Sequence, residues 1–403
     1  MDAVTITILL VIAAGALVLL YASGMLRRPE HVVVCAALIA GAFVIRGLCM
    51  GHVTLDYEDF LSKWVQFYRD NGGFSALGSR VGNYNLPYLY FLAAFSYIGI
   101  NDLVLIKALS IVFDVLLAWA GMQLVGLYTS SHAKKLTAFF LVLYWPTVIL
   151  NGAYWGQCDS IYVAFAVLSI YLAMSGRGAA GMVCIAVSFA FKLQAVFVMP
   201  IFVVLLIARR IKLWHFVLFP VTYVVLMLPA VLAGYPLLDT VTLYFDQMGT
   251  VGSSLNYNSP SIYAFAGNVS NESLASALGI LAAFLLMAVV FSWAYVRRSR
   301  LDNWAILGFA VILAVGIPFF LPHMHDRYFF AADMLTLLLA VAAPEYLLLP
   351  VLCEFASLLG YHAYLRMRYL LPMSYGAVAL ALVLLAAVFF TAAQLRPSRR
   401  KAQ

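Results

Sequence analysis

Leu274-Ala-Ser-Ala-Leu-Gly-Ile-Leu-Ala-Ala-Phe-Leu-Leu-Met-Ala-Val-Val-Phe-Ser-Trp-Ala-Tyr-Val296 runs without a charged side chain and ends on Arg297, Arg298 and Arg300. About 20 apolar residues are what a helix needs to cross the hydrocarbon of a bilayer, and basic residues gather at the cytoplasmic end of such a span. Comparable runs recur along nearly the whole chain, and of its 403 residues 65% are hydrophobic and 10% charged. No polar block is long enough to fold as a separate soluble domain. The expected fold is therefore all-α: a single polytopic integral membrane domain over residues 1–403, with about eleven spans.

Charge sets the expected threading. Met1 to Ala22 is apolar and is followed by Arg27 and Arg28, so the amino terminus is expected outside; a cleaved signal peptide would carry the opposite charge order. Residues 1–50 then form the first two spans and deliver residues 51–102 to the external face. Residues 103–335 carry the core helices, and residues 336–403 the last helices and a basic cytoplasmic tail ending in Arg396, Arg399, Arg400 and Lys401. Residues 178–208 carry cytoplasmic-type charge at both ends in two short arms, which reads as a re-entrant hairpin with Lys192 near its tip. Arg366 and Arg368 are misfits that headgroup-level snorkelling would accommodate. The net charge of +7 lies in short clusters at helix ends, so it reports topology and not nucleic-acid binding. The five cysteines have no paired or metal-type spacing and read as small hydrophobes.

The polar, aromatic loops all fall on the expected outer side. In the first, Tyr57, Phe60, Leu61, Trp64, Val65 and Tyr68 recur at helical spacing, with Glu58, Asp59, Ser62, Lys63, Gln66 and Arg69 opposite. Such a helix is expected to lie in the interface with its aromatic face among the headgroups. A short apolar helix of about Tyr88 to Ile98 follows as a juxtamembrane element. Acids, amides and cations gathered at one membrane surface suit a substrate with a polar head and a lipid tail. No Walker A sequence, no Gly-rich turn after a strand and no soluble nucleotide-binding domain is present, so an activated donor is expected to be a lipid phosphate.

Asp56-Tyr-Glu-Asp-Phe-Leu-Ser-Lys-Trp64, Asn71-Gly-Gly-Phe74, Gly82-Asn-Tyr-Asn-Leu-Pro-Tyr-Leu-Tyr90, Tyr154-Trp-Gly-Gln-Cys-Asp-Ser-Ile-Tyr162, Phe191-Lys-Leu-Gln194 and His323-Met-His-Asp-Arg-Tyr-Phe329 stand in that order. Together they resemble bacterial membrane glycosyltransferases of the GT-C superfamily, in the branch related to the second mannosyltransferase of GPI-anchor synthesis. The resemblance covers about residues 45 to 335. It implies inverting transfer of a hexose, with mannose favoured over glucose or galactose, from a polyprenyl-phosphate donor to a glycan or lipid-linked acceptor on the external face. It also implies that an acid of the first external loop serves as base.

Asp56 is the first candidate for that base, because inverting transfer needs a carboxylate within hydrogen-bond reach of the attacking hydroxyl. As an alternative it is an ordinary N-cap, with Glu58 and Asp59 as competing acids. Asp159 is either a cap for the helix from Ser160 or a third acid of the site. Arg327, with its planar fork, and His325 and His323 beside it are candidates for the donor phosphate. Lys192 joins them, since an ionised amine in an apolar hairpin calls for a functional role, snorkelling or a structural partner such as Asp114. Trp64, Tyr84, Asn85, Tyr88, Trp155, Gln157, Asn256, Asn258 and Asp326 are candidate substrate contacts. One His-Met-His step without further ligands is poor evidence for metal, so no cofactor is expected; an acid pair could hold a divalent ion, though nothing demands one. Asn268-Val-Ser and Asn271-Glu-Ser are formal glycosylation acceptors. A transporter or flippase of polyisoprenoid lipid or sugar is the rival reading, against which stand the missing internal repeat and the absence of acids gathered at the midplane.

Overall fold

The computed structural model of the chain describes residues 1–250, 254–267 and 270–396. The Asn268-Val-Ser acceptor and the basic tail residues Arg399, Arg400 and Lys401 fall outside them. The chain is all-α and polytopic. Among the described residues eight helices are long and apolar enough to cross a membrane, and the bent pair His132–Tyr144 and Pro146–Trp155 makes up to nine. Two further segments expected as spans form the shorter helices Asp159–Met174 and Phe330–Ala342, of 16 and 13 residues.

By its internal contacts the chain divides into two compact units. The first comprises Met1–Ser169, Met182–Ala195 and Phe216–Val251; the second comprises Ile170–Gly181, Val196–His215 and Gly252–Gln403. Four of the divisions fall inside or beside helical segments, so no linker advertises them. The first unit contains α1 (Ala3–Ala22), α2 (Pro29–Cys49), α3 (Ser62–Asp70), α4 (Leu86–Phe95), α5 (Asp102–Val125), α6 (His132–Tyr144) and α7 (Pro146–Ile149), with most of α8 (Asp159–Met174) and α9 (Gly178–Phe191). The second contains α10 (Ile201–Ile207). The chain returns to the first unit for α11 (Leu218–Leu232) and α12 (Leu237–Thr250). α13 (Glu272–Val296), α14 (Asn303–Phe320), α15 (Phe330–Ala342), α16 (Leu348–Leu365) and α17 (Met373–Gln394) complete the second.

The buried helices are α5 in the first unit and α14 and α15 in the second. The most apolar 18-residue stretch of α5 is 78% buried and that of α14 83%, whereas those of α1, of the segment Leu213–Leu232 that contains α11, and of α13 are only about a fifth buried. Leu, Val and Phe on those outer helices face outward, as they must where the surroundings are hydrocarbon and not water. The buried charged groups Arg46, Asp114 and Lys107 of the first unit all have partners. Arg46 of α2, fully buried, donates Nε and Nη2 to Asp114 Oδ2 of α5 at 3.1 and 2.9 Å, and Nη1 to the Leu143 carbonyl at 2.9 Å. Ser160 Oγ donates to the other Asp114 oxygen at 2.5 Å. Asp114 is thus the partner of Arg46, not of Lys192. Lys107 Nζ donates to the carbonyls of Cys49, His52 and Met50 at 2.9, 2.6 and 3.3 Å, satisfying the exposed end of α2 and fixing where the next loop begins.

The aromatic face of α3 is turned differently from its expected position among headgroups. Leu61, Trp64, Val65 and Tyr68 are buried against the protein, packed on α4 and on the 3-10 turn Gly73–Gly78, and only Phe60 of that set is half exposed. Periodicity identifies an apolar face but not its partner, and here protein atoms cover it. Burial pushes the Tyr68 phenol well above its ordinary range. Arg69, on the opposite face, donates to both oxygens of Asp102 at 3.2 and 2.7 Å, tying the helix to the start of α5. That bonded carboxylate raises the Arg69 guanidinium above its ordinary value.

Among the described residues two strands interrupt the all-α pattern. Asn256–Tyr257 pairs in parallel with Met324–His325, in the register Asn256 to Met324 and Tyr257 to His325. The ladder brings two loops of the second unit together across some 70 residues of chain, and no period of apolar residues announces a two-residue strand.

Ser79, Ser254 and Ser299 are all exposed. The threading expected from the basic clusters requires a cysteine at 79 or at 254 to react with a membrane-impermeant thiol reagent in whole cells and a cysteine at 299 to stay unlabelled. Labelling at all three positions would remove the assignment of sides.

Candidate functional site

Asp56 lies two residues into the helical segment that opens the first loop. Its backbone is helical, with φ −60° and ψ −35°, and its side chain makes no capping bond to the helix. The N-cap alternative therefore fails on geometry. Instead Asp56 Oδ2 accepts from Trp155 Nε1 at 2.9 Å and from Gln157 Nε2 at 2.5 Å. Both donors are neutral, so they fix the direction of the carboxylate without neutralising its charge. Glu58 and Asp59, the competing acids, are exposed, and Asp59 faces Lys63 at 3.5 Å one turn on.

The segment that supplies the donors is held stiffly. α7 continues into a wider π-helical turn, Leu150–Trp155, and stops at Gly156, whose φ of +86° is a conformation that L side chains rarely adopt. Thr54 Oγ1 donates to the Trp155 carbonyl at 3.1 Å and Ser110 Oγ to the Gln157 carbonyl at 2.6 Å. The Gln157 amide nitrogen donates to the Asn151 carbonyl at 2.9 Å. Trp155, Gln157 and Asp159 are almost wholly buried. His52 stacks on Tyr154 at 3.8 Å between ring centroids, joining the start of the loop to the same segment.

Asp159 opens α8 and its carboxylate is bridged on both oxygens. Lys192 Nζ donates to Oδ1 at 2.5 Å and Asn151 Nδ2 to Oδ2 at 2.7 Å. Lys192 sits where α9 ends and the 3-10 turn Leu193–Phe197 begins, so the break in the helix carries the amine to its partner. The same ammonium lies 5.8 Å from the centroid of the Tyr84 ring, within cation–π range. Tyr84 Oη donates to Gln157 Oε1 at 2.9 Å. A continuous set of contacts thus runs from Asp159 through Lys192, Tyr84 and Gln157 to Asp56.

Aromatic rings extend from Tyr84 in both directions. Trp64 meets it edge-on at 5.5 Å and Tyr88 at 4.9 Å, while Phe60 lies 6.1 Å from Trp64. Gly82, at φ +65°, allows Trp64 this position, since a Cβ there would come within 2.3 Å of the indole. Tyr88 is fully buried, which drives its phenol well above the ordinary range. Asn85, expected to contact substrate, is also buried, and its amide is engaged in the fold. It caps α4 at Leu86 N and donates to the Ala190 carbonyl at 2.8 Å and to Tyr244 Oη at 3.0 Å.

In the second unit the strand pair organises the remaining candidates. Tyr257 stacks on His325 with centroids 4.7 Å apart and planes 11° from parallel. His323, in the left-handed region at φ +61°, pairs Nδ1 with the Ser254 carbonyl at 2.8 Å. Asn256 closes a local turn on Ser259 through both amide atoms, and Asn258, at φ +58°, accepts from Tyr369 at 2.5 Å. Arg327 is mostly buried, with Nη1 3.4 Å from the buried Asp326 carboxylate. Asp326 therefore faces the neighbouring guanidinium. The cluster of His325, His323, Arg327 and Asp326 with Asn256 and Asn258 is one local structure. Among the described residues no group of three or more His, Cys, Asp or Glu side chains is arranged to hold a metal ion.

Arg46 and Asn151 are polar groups that sequence reading did not single out. The signal for Arg46 was its charge inside an apolar run; Asn151 carried none beyond its place five residues before the Gly156 turn. No protein-family model matches the chain, and no curated protein sequence matches it.

Proposed function

We propose that the protein is an inverting, polyprenyl-phosphate-sugar-dependent hexosyltransferase that acts at the external face of the cell membrane. The observation that carries this reading is the Asp56 carboxylate, aimed by Trp155 and Gln157 in the loop where the GT-C resemblance expects a base. In this reading an acceptor hydroxyl attacks the anomeric carbon as Asp56 takes its proton. The bond from that carbon to the donor's phosphate oxygen breaks, and the polyprenyl phosphodiester departs as a monoester with more charge. Of the aromatic run, Trp64 and Tyr88 are buried and Tyr84 keeps part of its surface exposed, so Tyr84 is the ring proposed to meet the apolar face of a sugar.

Purified protein incubated with radiolabelled polyprenyl-phosphate mannose, glucose and galactose, each with a membrane extract as acceptor source, is expected to discharge one of them, with mannose first in order. A protein that moves any of the three across a vesicle membrane but leaves the sugar–phosphate bond intact is a transporter, and the reading fails.

A further inference from the structure

Two of the residues around Asp56 differ from ordinary substrate contacts in where their polar atoms point. Trp155 has a single donor, Nε1–H, and it is directed at Asp56 Oδ2. Gln157 has one amide group with an acceptor end and a donor end. The donor end meets Asp56 at 2.5 Å and the acceptor end meets the Tyr84 hydroxyl at 2.9 Å. Flipped, the amide would set its carbonyl oxygen against the carboxylate, and two acceptors at that distance repel, so the Asp56 charge itself favours the orientation seen. The Tyr84 hydroxyl reinforces it by supplying a hydrogen to Oε1. Tyr84 is itself located by Trp64 and Tyr88 on either side and by the Lys192 ammonium at its face, and Lys192 is anchored by Asp159.

We propose that Trp155 and Gln157 are positioning residues for Asp56, and that Tyr84, held by the Lys192–Asp159 ion pair, reinforces the Gln157 amide in its donor-to-Asp56 orientation. This inference rests on the reading of Asp56 as the base for its consequence in catalysis, but the coupling itself is a property of the folded protein. Gln157 and Trp155 act through Asp56; Lys192 acts two contacts further away. Precise aim matters because a base misdirected by about 1 Å costs on the order of 100-fold in rate without weakening the binding of either substrate.

The test uses the full chain in detergent micelles or nanodiscs and two independent readouts. The first is the indole N–H resonance of Trp155 in protein labelled with 15N-tryptophan, assigned by its disappearance in Trp155→Phe. With seven tryptophans in the chain the spectrum is sparse. Asp56→Asn replaces the charged acceptor by a neutral one and should move this resonance strongly. Gln157→Leu and Tyr84→Phe, which leave Trp155 and Asp56 intact, should move it by a smaller, measurable amount while the Trp119 and Trp293 resonances stay in place. A Trp155 resonance indifferent to Gln157→Leu and to Tyr84→Phe overturns the inference, whatever the activity.

The second readout is kinetic. Gln157→Leu is expected to lower kcat by about 100-fold with KM for donor and acceptor within about threefold of wild type. Tyr84→Phe, which retains the ring over Lys192, should lower kcat by about tenfold with KM unchanged. A raised KM with unaltered kcat would make Gln157 a direct substrate contact and overturn its positioning role. Absence of sugar discharge by the wild-type protein, together with the expected movement of the Trp155 resonance, would sink the proposed function and leave the coupling standing.

Discussion

Asp56→Asn abolishes sugar transfer, by at least about 100-fold, the lower end of what a general base contributes, while the protein folds and accumulates as the wild type does. The substitution is nearly isosteric, and its amide oxygen can still accept from Trp155 Nε1, so that neighbour is not stranded. What disappears is the ability to take a proton from the acceptor hydroxyl. The measurement is turnover of the discharged polyprenyl-phosphate sugar at saturating donor. Residual activity above about a tenth of wild type would move the base elsewhere. Glu58→Gln is the informative companion. Glu58 is exposed and Asp56 is held by two donors, so Glu58→Gln is expected to retain activity within about threefold, the effect of an exposed charge without a catalytic role.

Spans and loops were legible because lipid is a strict solvent: a helix that crosses it must show a run of apolar residues, and the runs ending at Cys49, Val125 and Val296 say so locally. Contacts between distant segments leave no such local trace. Asp56 and Trp155 lie 99 residues apart, and Arg46 and Asp114 lie 68 apart. Reading alone could identify an acid ahead of an amphipathic run and an amine in an apolar stretch, but could not pair them. It offered Asp114 to Lys192, whereas the chain gives Asp159 to Lys192 and Arg46 to Asp114. The two alternatives are alike in composition and differ only in which helix faces meet.

The same limit explains α3 and the strand pair. Leu61, Trp64, Val65 and Tyr68 have the spacing of an interfacial helix and the spacing of a helix packed on protein, because both bury one face; only the location of α4 and the turn after it decides. Asn256–Tyr257 and Met324–His325 are too short for alternation to register. Around Asp56 the residue types were readable and their contacts were not. Trp155 and Gln157 were expected against substrate, and the geometry turns both toward Asp56.

Asp114→Asn is expected to destabilise the protein by about 3–5 kcal/mol, the scale for removing one member of a buried ion pair. The reason is what remains behind. Arg46 is fully buried, its guanidinium cannot deprotonate at any ordinary pH, and without the charge on Asp114 it would stay ionised inside a helical core with carbonyl oxygens as its known partners. The pair itself is a different matter, since removing both charges also removes both desolvation costs. Replacing it with Arg46→Met and Asp114→Leu together should therefore recover most of the loss and could exceed wild type in stability. Thermal unfolding followed by size-exclusion recovery in one detergent measures all three proteins on one scale. If Asp114→Asn survives heating as well as wild type, the pair does not hold α2 to α5. If the double variant is no better than the single, the residues are needed for the contacts they make to Ser160 and Leu143 and not to balance each other. Recovery of stability in the double variant would also separate scaffold from chemistry, because Arg46 and Asp114 touch neither Asp56 nor its donors through any bond described above. A stable double variant that still transfers sugar would show that the ion pair supports the helices alone, whereas a stable but inactive one would make Ser160, one residue after Asp159, the route by which packing around Asp114 reaches the site.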